Sequence, residues 1–248
     1  MSKHEKFIMT PMTSLMEDAI QACSGVGDGI ETYPLGEYIM QSLLLKMSGF
    51  QEQKLKCILW ELATDDYEFR YGYFTKNKNK YGECSHYNDK NQVFMDLKEH
   101  IHVVGEVFSL DEKETILEEI KQSIVQYSGS NLFSWYQRQY KEFCAFIDKE
   151  ELTNKFADRK EGKGETCLLL GSLVTEYKDG FYRQRNRIAH NATSYQENLP
   201  DLKDLYREAR PENSDPKLPR NYFMHFMILL LIDYVFIEMY KKYKAEQE

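Results

Sequence analysis

Ser109-Leu110-Asp111-Glu112-Lys113-Glu114-Thr115-Ile116-Leu117-Glu118-Glu119-Ile120-Lys121-Gln122-Ser123-Ile124-Val125 reads as an α-helix from its first residue to its last. Ser109 and Glu112 have capping-box spacing, in which the serine hydroxyl accepts an amide one turn on and the glutamate reaches back to the serine amide. Ile116, Leu117, Ile120, Ile124 and Val125 recur at intervals of three and four, which lays one apolar stripe along the helix, and Gly129 suits its C-terminal cap. Downstream, Asn131 is placed to cap a second helix, with Phe133, Tyr136, Tyr140, Phe143 and Ile147 at the same spacing. An aromatic stripe of this kind is a core face rather than a platform for bases.

The pattern continues toward the N-terminus. Ser14 and Glu17 form another capping-box pair, so a first helix is expected to run to about Cys23 and stop at the loop glycines 25, 27 and 29. Pro34 opens a helix burying Ile39, Met40, Leu43, Leu44 and Met47, with Gly49 as its end. A further helix from Phe50 buries Leu55, Ile58, Leu59 and Leu62, which makes the two a helical hairpin. Glu52, Lys54 and Arg70 are read as a solvated face. Residues 75–91 alternate lysine and asparagine and read as a polar surface loop. Cys84-x-His86 and His100-x-His102 match no closed tetrahedral zinc pattern, so no metal and no cofactor is expected.

Toward the C-terminus, residues 154–164 read as a charged loop. A helix from about Glu165 would bury Leu168, Leu169, Leu173 and Val174 and end at Asp179-Gly180. Pro200, Pro211, Pro216 and Pro219 make residues 198–220 a linker with at most a short helix over 201–210. The last helix is expected from Pro219 to about Lys244. No segment alternates in the manner of a sheet, and the fold class that follows is all-α.

Composition narrows the function. With 248 residues and a net charge of −8, the chain is long enough for a core and too acidic to coat nucleic acid through its overall field. Five cysteines, Cys23, Cys57, Cys84, Cys144 and Cys167, stand singly, and the first residues carry no basic and apolar leader; both point to a reducing cytoplasm. The longest apolar run, Phe223 to Phe236, is interrupted by His225 and Asp233 and falls short of the roughly 20 residues of a membrane span, so it is expected as a buried helix.

One stretch departs from this acidic background. Phe181-Tyr182-Arg183-Gln184-Arg185-Asn186-Arg187-Ile188-Ala189-His190 holds three arginines and a histidine. A guanidinium offers a planar fork of donors that matches phosphate oxygens, and an imidazole exchanges a proton near neutrality. On a helix Arg183, Asn186, Arg187 and His190 share one face, while Arg185 points about 140° away from His190. The pattern Arg-Asn-x-x-x-His recurs at Arg220, Asn221 and His225, a possible second site. There the histidine sits in the apolar run Phe223 to Ile228, the setting of a core residue.

Arg185-Asn186-x-x-x-His190 resembles the Arg-x(4–6)-His motif of HEPN-domain ribonucleases. The resemblance covers about residues 109–248 and implies a HEPN-like helical bundle with the motif on a late helix, leaving residues 1–108 as an N-terminal helical accessory region. It implies a metal-independent endoribonuclease in which His190 moves protons, Arg185 holds the charge on the phosphoryl oxygens with Arg183 or Arg187 in support, and Asn186 orients the ring or bonds the phosphate. It also implies a homodimer with a composite active site, and a toxin or antiviral-defence role under an antitoxin or regulator. The family also contains non-catalytic nucleotide-binding and protein-interaction members, so an RNA-cleaving and a purely binding function both remain open.

Overall fold

The computed structural model describes residues 2–75, 84–103, 105–159, 165–190 and 221–247. The expected linker 198–220, with its short helix, Pro219 and Arg220, lies outside them, as do residues 76–83 of the lysine-asparagine stretch.

Helix α1 (Lys3–Ile8) carries a complete capping box, Ser2 with Glu5. The expected box at Ser14 is not one. Helix α2 (Thr13–Ala22) starts there without a side-chain cap, and the Ser14 hydroxyl donates back to the Pro11 carbonyl at 2.9 Å.

The expected hairpin is instead one helix, α3 (Tyr33–Asp65). Gly49 passes through its middle, exposed and with open space around it. A mid-helix glycine costs about 1 kcal/mol, which the apolar residues buried on either side of Gly49 outweigh. After α4 (Tyr67–Thr75), α5 (Tyr87–His100) occupies part of the expected loop, and Tyr87, Val93, Phe94 and Leu97 form its buried face.

Helix α6 (Leu110–Ser128) has the expected limits, with the Ser109–Glu112 box at one end and Gly129 at the other. A 3₁₀ turn over Asn131–Tyr136 leads into α7 (Gln137–Lys149), with Phe133, Tyr136 and Phe143 buried.

The expected loop and helix after residue 154 contain an antiparallel hairpin, β1 (Phe156–Arg159) and β2 (Thr166–Leu169). Four-residue strands are too short to display an alternating pattern. The free edge of β2 is covered by α5: the Leu168 amide donates to Asn91 Oδ1 at 2.8 Å, and the Tyr87 hydroxyl donates to the Leu169 carbonyl at 2.8 Å. Gly171, at φ +53, turns the chain into α8 (Gly171–Thr175).

The helix does not stop at Gly180. A π-helical turn, Glu176–Phe181, joins α8 to α9 (Tyr182–His190).

The last helix, α10 (Tyr222–Gln247), is buried nearly throughout. It is long and apolar enough to cross a membrane, yet here it packs against α3, α5, α6 and α7. In its apolar first half, Asp233 is buried with Lys54, also buried, whose ammonium donates to it at 2.5 Å. Lys54 also donates to the Thr10 carbonyl at 2.7 Å, and the Met12 amide donates to Asp233 at 2.9 Å. Among the described residues the fold is all-α apart from the hairpin, with one continuous core.

Candidate functional site around α9

Two turns of helix and their neighbours place the arginine-rich residues. The helix extends through Gly180 at a position with little room for a side chain. A Cβ there would meet the Glu176 carboxylate and come within 3.1 Å of His225 Nε2. The π turn then presents Arg185 to α3.

Arg185 Nη2 donates to Glu52 Oε1 at 3.0 Å and Nη1 donates to Asn186 Oδ1 at 3.0 Å, with the Arg185 side chain 21% exposed. Glu52 also accepts from the Ser48 hydroxyl at 3.3 Å. Glu52 and Lys54 therefore belong to the interior and not to a solvated face; Arg70 is exposed, over the Tyr67 ring.

A second cation lies in the field of the same carboxylate. Lys90 is fully buried, and burial pushes its ammonium down to about 8; Glu52 is the largest influence in the opposite direction and Arg185 adds to the depression. Tyr177 is pushed up by burial, with Glu52, Tyr182 and Arg185 in its field, and its hydroxyl donates to the Ser85 carbonyl at 3.0 Å. The Tyr182 hydroxyl lies 3.2 Å from His86 Nε2. Two tyrosines thus tie the start of α5 to the start of α9.

The remaining motif residues point outward. Arg183 is exposed and pairs with Asp179 at 3.2 Å; Arg187 and His190 are exposed on the last turns. Arg185 lies against α3 and His190 in solvent, so one chain does not bring the two together. Asn186 bonds Arg185.

The second copy of the pattern has a different setting. Asn221 is buried at the head of α10, where its Oδ1 accepts the Met224 amide at 3.2 Å and its Nδ2 donates to the Gln139 carbonyl at 2.8 Å. That is a helix cap. His225 is 0% exposed, with Nε2 3.3 Å from Glu176 Oε1 but not aligned for a hydrogen bond. A pairing of His190 with His225 on one phosphate needs the second ring at the surface, where it is not.

The histidines considered for zinc are also dispersed. His100 Nε2 is 3.3 Å from Asp66 and its Nδ1 2.7 Å from the Asp96 carbonyl, while His86 stands with Tyr182. A cleft of about 330 Å³ between α6 and α7 is lined by four glutamates, Glu114, Glu118, Glu150 and Glu151, against one lysine, Lys121, and no motif residue lines it.

Lys90, Tyr177, Tyr182 and His86 were not singled out for this site by the sequence. A signal existed for Lys90: Tyr87, Lys90, Phe94 and Leu97 follow helical spacing, which puts a lysine on an apolar face. In comparisons with known proteins, no family model, no curated protein and no solved structure matches the chain.

Proposed function

We propose that the chain is an endoribonuclease of the HEPN type. The 2′-hydroxyl of the substrate attacks the adjacent phosphorus, and the products carry a 2′,3′-cyclic phosphate and a 5′-hydroxyl. His190 moves a proton, and Arg185 neutralises the charge that builds on the phosphoryl oxygens. The observation that carries the reading is Arg185-Asn186-x-x-x-His190 on a surface helix. Its arginine is ordered by a carboxylate, and its histidine is open to solvent.

A carboxylate and a phosphate compete for the same guanidinium fork. When Arg185 turns to phosphate, Lys90 remains as the counter-charge of Glu52. Because Arg185 and His190 face different surroundings within one chain, the working site lies across a two-fold axis in this reading, where a second copy supplies the missing group. As a toxin or defence effector, such an enzyme would act under an antitoxin or regulator.

A second reading draws on the Glu52–Arg185 contact itself: a non-catalytic module in which the arginines grip a nucleotide phosphate or an acidic partner. Wild-type and His190→Ala protein, incubated with labelled RNA in excess EDTA and followed by end-group analysis, separate the two. Cleavage to cyclic-phosphate ends by wild type alone is the expected result. Binding without turnover, lost in Arg185→Ala and kept in His190→Ala, supports the module instead.

A further inference from the structure

We propose that His86 and Tyr182 form a base-stacking subsite for single-stranded RNA beside Arg185, an inference that rests on the RNA reading of that residue. The two rings lie 4.8 Å apart between centroids at a tilt of 41°, and the Tyr182 hydroxyl fixes the imidazole at 3.2 Å. Tyr182 is half-buried and His86 exposed, so the imidazole is the outer ring, backed by the inner one. The backbone beneath is held as well, through the bond from Tyr177 to the Ser85 carbonyl. A pre-ordered aromatic pair open on one face is what an unpaired base stacks on, at little cost in entropy.

Charge sets this pair apart from other exposed aromatics. Trp60, Tyr67 and Tyr71 are more than half exposed on α3 and α4, but there Glu61, Asp65, Asp66 and Glu68 outnumber Arg70, which lies over the Tyr67 ring, and the balance disfavours an RNA backbone. Around Tyr182 acids and cations are mixed: Asp89 bonds the His86 backbone and Asp179 is paired by Arg183, while further cations flank the ring on its own helix. Exposed Lys178 lies one turn before it, 5.1 Å over the Tyr87 ring, and Arg185 follows one turn later on the same helix. Tyr182 and Arg185 are three residues apart on one helix face, so a phosphate at Arg185 would carry its neighbouring base on the side of this ring pair.

The test compares two uncleavable strands of equal length, a 2′-O-methyl oligonucleotide and its abasic counterpart, by fluorescence anisotropy. Wild type is expected to prefer the base-bearing strand roughly tenfold. Tyr182→Leu and His86→Ala should erase that preference while binding the abasic strand as wild type does, and Tyr182→Phe, which keeps the ring, should retain it. Arg185→Ala should weaken both strands. His86 is exposed at a helix start, so its truncation does not endanger the fold. An unchanged preference in His86→Ala, or no preference in wild type, overturns the subsite. Neither strand is cleavable, so this result is independent of whether the enzyme reading survives the EDTA experiment.

Discussion

Lys90 illustrates what a single residue can impose on the whole chain. Its folded value of about 8 lies below its ordinary 10.5, so between those limits the unfolded chain carries a proton that the folded chain does not. Stability must therefore rise with pH across that window. Urea denaturation at pH 7.5 to 10.5 should show wild type gaining about 3 kcal/mol over Lys90→Met, the difference between the two curves removing the contribution of other groups. Parallel curves would mean that Lys90 is not buried as a cation. Nothing near Lys90 in sequence announces Glu52 or Arg185. The arginine-rich stretch is conspicuous because its charges are adjacent, whereas the cluster it joins is assembled from three distant helices.

Among the elements, α6 was readable at both ends because caps and periodicity are local properties. The hairpin of β1 and β2 was not, since its hydrogen bonds depend on α5 lying across the edge. Nor was the π turn, which continues a helix through a glycine that ordinarily ends one. The pairing of Lys54 with Asp233, 179 residues apart, is invisible to any window, and it governs how α3 meets α10. Removing one member leaves the other charge buried without its partner. Asp233→Leu alone should cost about 3–5 kcal/mol in thermal or chemical unfolding. The double variant Lys54→Met with Asp233→Leu should recover most of that loss, because two apolar side chains replace the pair. Equal losses in single and double variants would show that the Thr10 and Met12 contacts, and not the charge balance, hold the N-terminal helices in place.

For the whole molecule, helical class was legible and its arrangement was not. Residues 1–108 and 109–247 contribute to one core, and α3 from the first half meets both α9 and α10 from the second. The site was legible only as a motif: Arg185 and His190 sit in one sequence pattern but in separate surroundings. If two chains complete the proposed site, nuclease activity per protein should fall on dilution in step with dimer dissociation measured by sedimentation. Constant specific activity down to concentrations where only monomer sediments would sink the two-chain arrangement.

Glu52 and Lys54 stand two residues apart on α3, about 200° around its axis. One clasps Arg185 of α9 while the other clasps Asp233 of α10. A helix held from two sides resists rolling, because a rotation that eases one clasp strains the other. The motions left to the site are those of side chains. In the proposed enzyme, Arg185 would exchange the Glu52 carboxylate for phosphate by a side-chain movement, with α3 as a stator behind it.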